Sequence, residues 1–157
     1  LLDTIPGVGM RTAQDMVAEI GTDMERFPSA EHLSSWAGMS PGNNESAGKR
    51  MSGKTNKANK HLRTTLVEAA RAAAHTKDTY LSAQYRRLAS RRGGKKAAIA
   101  VGHSILVITY HILKRHKPYM ELGSDYFEKQ KKDAVIKNAV KKLQTLGFEV
   151  TLSEKVA

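Results

Sequence analysis

A chain of 157 residues with 40% hydrophobic content is long enough to bury one core, and Lys plus Arg outnumber Asp plus Glu by 26 to 15, a formal net charge of +11. An excess of that size in a small domain points to nucleic acid or another polyanion as partner. Cysteine is absent, which excludes disulfides and thiolate metal sites and suits a reducing cytoplasm, and the six histidines show no HExxH or comparable ligand spacing.

Leu1 is followed by no charged segment or cleavage site of a secretory signal, and the start reads as cut from a longer chain. Leu1 to Ile5 is expected to end a helix begun upstream. Pro6-Gly7-Val8-Gly9 then reads as a tight turn, and Arg11 to Ile20 as a helix closed by Gly21. Ser29 is placed to cap a short helix, Ala30 to Ala37, with Leu33 and Trp36 toward the core. Residues 38–58 form a loop rich in Gly, Asn and Ser. Asn59 is expected to cap a long helix to about His75, with Leu62, Leu66, Ala69, Ala70 and Ala73 as one apolar stripe.

Asp78 is expected to begin a helix ended by Gly93-Gly94, with Leu81, Tyr85 and Leu88 on one face. Lys95 to Arg115 follows as a helix broken by Pro118, and Asp125 is set to cap a last helix, Tyr126 to Leu146, stopped by Gly147. Residues 97–113 hold no Asp, Glu, Lys or Arg. That run falls short of the roughly 20 residues a bilayer needs and contains two histidines, so a buried core helix is expected, not a membrane span. Phe148 to Leu152 alternates like one strand, which needs a partner to exist at all. The expected fold is mainly all-α: a helix-hairpin-helix-like element (1–28), a core with the basic serine loop (29–122), and a C-terminal helix and tail with a possible short strand (123–157).

Three motifs carry chemistry. Gly7 and Gly9 suit close approach of backbone to a phosphate, and Arg11 and Thr12 sit where the next helix offers unpaired N–H groups. Such a contact ignores sequence, because phosphates carry no base identity. The second is the basic run Lys49, Arg50, Lys54, Lys57, Lys60 and Arg63, with Asn59 among them and only Glu45 nearby in opposition. The third is the trio Ser40, Ser46 and Ser52. A serine hydroxyl becomes a nucleophile only with a base, metal or cationic surroundings; otherwise it forms turns. His61 is the nearest imidazole and supports no triad by itself. No GxxxxGK[ST] loop is present, which argues against an NTPase.

Together these residues resemble the C-terminal transposase domain of insertion-sequence transposases that pair it with an N-terminal DEDD, RuvC-like domain, a group including Piv-type invertases and bridge-RNA-guided serine recombinases. The matching pieces are IPGVGMRTA, FPSAEHLSSWAGMSPGNNESAGKR, the run carried by Lys57, Asn59, Leu62, Arg63, Leu66, Ala69 and Ala70, KKAAIAVGHSILVITYHILKRHKPY and KKLQTLGFEVTL. The resemblance implies a loop serine that attacks DNA and holds a phosphoserine bond. By position this is Ser46, which follows Ala37 to Pro41 and precedes the basic stretch, with Ser52 as rival. Many members read Ser-Gly directly, whereas Ala47 intervenes here, and Ala58 stands where Gly is common. It further implies magnesium held by acidic residues of the RuvC-like domain and no cofactor in this chain. DNA, in some members a guide RNA, and further copies of the protein are the implied partners, in the bacterial or archaeal cytoplasm near the nucleoid, with no membrane. The readings left beside it are a noncatalytic helix-hairpin-helix DNA-binding module and a structural RNA-binding protein.

Overall fold

Local sequence explains most element boundaries in the computed structural model of the chain, which describes residues 1–42, 44–52, 55 and 57–153. The chain divides into two units, Leu1–Ser124 and Asp125–Ala157. The first holds a 3-10 turn (Leu2–Thr4), α1 (Met10–Ile20), a 3-10 turn (Met24–Arg26), α2 (Ala30–Trp36), β1 (Asn44–Ser46), β2 (Lys49–Ser52), α3 (Lys60–Ala74), α4 (Tyr80–Arg92) and α5 (Gly94–Arg115). The second holds α6 (Tyr126–Lys129) and α7 (Lys132–Thr145).

The expected cap of α3 forms. Asn59 Oδ1 accepts the Leu62 N–H at 3.0 Å, satisfying one of the orphan donors of α3. Thr79, not Asp78, caps α4, its Oγ1 accepting the Ser82 N–H at 3.3 Å. Helix α2 ends in a Schellman motif: Gly38 takes φ +66°, its N–H reaches the Ser35 carbonyl, and the Met39 N–H reaches that of Ser34 at 2.9 Å. Met39 is thereby buried, and the chain leaves α2 toward the hairpin from a fixed point.

Helix α5 is the centre of the first unit, with α2, α3 and α4 packed around it. Its buried positions, from Ala97, Ala98, Val101 and Gly102 to Thr109, Tyr110 and Ile112, cover two faces, as a central helix requires. Its length and apolarity would satisfy a membrane span, yet these side chains are covered by protein. All five residues of the predicted α3 stripe are buried at 2% exposure or less. Small residues let the backbones approach: a Cβ built on Gly102 lies 3.1 Å from the Leu66 carbonyl oxygen of α3.

Several expectations are corrected. Leu1 to Ile5 is no helix end but a 3-10 turn, with the Ile5 N–H on the Leu2 carbonyl. Trp36 is 46% exposed and stacks at an angle on Phe27, because the core face of α2 is Ala30, Leu33, Ser34 and Ala37. The loop at 38–58 contains the β1–β2 hairpin. The last helix is split into α6 and α7, since residues 128–133 are all polar and give a continuous helix nothing to bury. Asp125 makes no cap bond; its carboxylate pairs with Lys129 at 2.6 Å, which holds it below the usual carboxylate range. Phe148 to Leu152 forms no strand among the described residues: it has no partner there, and Phe148 and Leu152 are exposed.

Candidate nucleic-acid interface

The hairpin turns through Ala47 and Gly48, at φ +49° and +72°, the pair of positive values that defines a two-residue type I′ turn. Its register pairs Ser46 with Lys49, Glu45 with Arg50 and Asn44 with Ser52, leaving Met51 as the extra residue of a bulge. Ser46 and Lys49 are therefore direct cross-strand neighbours beside the turn, with Cβ atoms roughly 5 Å apart and on one face. Both are exposed. Ser52, the rival nucleophile, lies at the other end of the ribbon, and Ser40 lies outside it, its N–H on the Ser34 carbonyl.

The basic run continues from the hairpin into α3. Lys57 and Lys60 are exposed and Arg63 half-buried, so the start of α3 carries three cations within seven residues. From Ser46 to Val67 there are six Lys and Arg and no Asp or Glu. Asn59 in this stretch is already engaged within the protein, capping α3 with its oxygen and donating from Nδ2 to Glu19 of α1 at 2.6 Å. Lys54 lies outside the described residues, and of Arg50 only the backbone position is described.

The glycine turn falls elsewhere. Gly7 takes φ +84°, and a Cβ on it would lie 2.4 Å from both the Ala69 carbonyl oxygen and the Ala73 nitrogen. It therefore has a packing reason to be glycine, pressed onto the second half of α3. Glu19, at the far end of α1, meets Asn59 at the start of α3, so α1 runs antiparallel to α3. Gly9, Arg11 and Thr12 thus lie about 15–20 Å along α3 from its start at Lys60. Gly9 and Arg11 are exposed, Thr12 is half-buried, and the first turn of α1 has no acidic residue. The predicted contacts at the glycine turn and those at the start of α3 (Lys57, Lys60 and Arg63) lie at opposite ends of that helix.

The Ser46 hydroxyl has no hydrogen-bonded base among the described residues. Nor do those residues hold any cluster of three or more His, Asp or Glu fit for a metal. A cleft of about 560 Å³ lies along the second half of α5, lined by Tyr80, His103, Val107, His111, Tyr119 and Leu122 among others, and away from the hairpin. Burial, and then the charge of Glu121, pushes the Tyr119 phenol well above its usual range. The exposed, polar chemistry is at the hairpin.

Residues 1–86, from the glycine turn through the hairpin and α3 into α4, match the transposase IS116/IS110/IS902 family. The chain belongs to that family. Two curated relatives are the pilin gene-inverting proteins of Moraxella bovis and Moraxella lacunata, each 30% identical over 122 residues. Those residues are 76% of this chain but 38% of each relative, so this member of the IS116/IS110/IS902 transposases spans well under half the length of the relatives it matches. The pairing of Ser46 with Lys49 in this transposase chain escaped the sequence reading, which took 38–58 as loop. The signal was the two-residue spacing around Gly48 between short polar strands, muted because Ala replaces the Asn or Asp usual in such turns.

Proposed function

We propose that this chain is the DNA-contacting, nucleophile-bearing part of a DNA transposase or site-specific recombinase, with Ser46 as the nucleophile. The observation carrying the reading is the placement of Ser46 directly opposite Lys49 beside the I′ turn, inside a carboxylate-free basic segment of a transposase-family chain. Ser46 Oγ attacks a backbone phosphorus of DNA, loses its proton, and displaces a sugar oxygen that leaves as a hydroxyl once protonated. The strand is then held as a phosphoserine ester. Attack by a free sugar hydroxyl reverses the step, releases the serine and rejoins a strand without ATP. Lys49, the cross-strand neighbour of Ser46, supplies positive charge for the phosphorane, an effect typically worth several kcal/mol.

In this reading the base for Ser46, which no described residue supplies, comes from another domain. Acidic residues of a RuvC-like domain, outside this chain and contributed across subunits of a homo-oligomer, would hold magnesium, whose chemistry is to stabilise charge on the reacting phosphate. No carboxylate cluster among the described residues offers it a place here. The working compartment is the cytoplasm.

The test uses the complete protein with its RuvC-like domain. Ser46→Ala is expected to abolish covalent protein–DNA adducts on denaturing gels while leaving folding and DNA affinity within a few-fold. Adducts that persist in Ser46→Ala but vanish in Ser52→Ala transfer the role to Ser52. If the unaltered protein forms no adduct on any magnesium-containing reaction mixture, the noncatalytic DNA-binding module takes its place.

A further inference from the structure

From Thr79 to Met120 the chain holds nine Lys and Arg and no Asp or Glu. Six of the nine fall between Arg86 and Lys96, where α4 passes into α5 through Gly93 at φ +83°. Arg86 is tied to Ser82, its Nη2 donating to Oγ at 3.0 Å. Arg91, Arg92, Lys95 and Lys96 are exposed and form no ion pair with a described carboxylate.

Fold stability accounts for half of this cluster. Arg91 and Arg92 stand in the last turn of α4, where cations complement the helix dipole. Lys95 and Lys96 stand in the first turn of α5, where the dipole disfavours them, and they add repulsion to the two arginines just before. Among the described residues no carboxylate pairs with these four cations, which leaves them open to an external polyanion.

The corner also sits at the right end of the unit. Gly102 of α5 crosses α3 at Leu66. Beyond that crossing both helices run toward the 1–9 segment: α3 meets Gly7 at Ala69 and Ala73, and Tyr119, just past α5, donates its N–H to Thr4 Oγ1 at 2.9 Å. So α3 and α5 point the same way and their starts share one end. Lys60 and Gly94 are about 9 and 12 Å, along their axes, from the crossing. The α4–α5 corner and the start of α3, with Lys60 and Arg63, therefore face the same side of the bundle.

We propose that Arg91, Arg92, Lys95 and Lys96 form a second contact for the phosphodiester backbone of duplex DNA, on the side of the bundle where Lys60 and Arg63 begin α3. The inference rests on the DNA-binding part of the function proposed above, and not on the identity of the nucleophile. It is tested in the complete protein by replacing all four with Gln (R91Q, R92Q, K95Q, K96Q) and measuring affinity for a mixed-sequence duplex between about 50 and 200 mM salt. Affinity is expected to fall more than tenfold at the lower salt, and the slope of log affinity against log salt to become shallower by about 2–4. The melting temperature should change little, because relief of the repulsion at Lys95 and Lys96 offsets the dipole complement lost with Arg91 and Arg92. Exchange within the cationic class (R91K, R92K, K95R, K96R) should keep affinity within about twofold.

Four outcomes overturn the corner: an unchanged salt slope, an equal loss in the charge-preserving variant, an equal loss from Arg115→Gln with Lys117→Gln at the other end of α5, or a loss confined to duplex RNA. Adduct formation by the unaltered protein is read in parallel. Its absence sinks the serine assignment alone, and a flat response of the Gln variant sinks the corner alone.

Discussion

Gly7 meets the backbone of α3 at a separation no Cβ tolerates, and its φ of +84° is one that other residues adopt only under strain. Gly9, two residues on, is the contrary case: φ is −83°, and a Cβ there finds no heavy atom within 4 Å. Of the two glycines of one motif, packing therefore fixes Gly7 and leaves Gly9 free of it. Gly7→Ala is expected to destabilise the chain by about 2–4 kcal/mol, combining left-handed strain with displacement of α3. Gly9→Ala should cost less than about 1 kcal/mol, the scale of an N-cap change. Urea unfolding of both variants checks this, and near-equal midpoints would mean the turn does not rest on α3. A drop in DNA affinity for Gly9→Ala, with stability kept, would assign the phosphate contact to the start of α1.

At the scale of elements, the most consequential piece is a ribbon only nine residues from end to end with its turn, marginal by itself in water. Its I′ turn holds Ala47 in the left-handed region at φ +49°, at a cost of roughly 1–2 kcal/mol that Asn or Gly lowers. Ala47→Asn is expected to slow amide exchange of the paired strands about three- to tenfold with the rest of the chain unchanged. Unaltered or faster exchange would show that the turn is not of this type. The same element shows where sequence reading stops. The α3 stripe was legible because five buried residues recur at helical spacing across fifteen positions, and Asn59 was legible as a cap because its chemistry is local. The hairpin was not, since its Ala-Gly turn lacks the usual residue and its strands bury nothing. Trp36 misled for a related reason: in a helix of seven residues several faces fit the apolar pattern, and contact with α5 chose the one bearing Ser34. Phe148 to Leu152 has alternation without a partner, and alternation alone makes no strand.

For the whole molecule, charge was plain in the sequence but its arrangement was not, because that depends on which helices run parallel. Residues 1–124 carry nineteen Lys and Arg against ten Asp and Glu, and the two longest carboxylate-free stretches place cations where α3 and α5 begin. Most carboxylates of the unit lie elsewhere along the chain, in α1, in the turns before α2, and near Asp78 and Glu121. The glycine turn, at the other end of α3, adds at most a separate grip. A protein that binds through such a surface displaces condensed counterions from DNA, so its affinity follows salt more steeply than any single contact suggests. With about 6–10 phosphates engaged, affinity for a mixed-sequence duplex should fall by about 10³–10⁵ between 50 and 200 mM salt. Fluorescence anisotropy with two unrelated duplexes checks it: the two curves should run parallel, because backbone contacts position without reading bases. A loss below tenfold would leave the +11 charge without a role in binding. Curves of clearly different slope would require base contacts that an exposed serine–lysine ribbon and two lysine-rich helix starts do not supply.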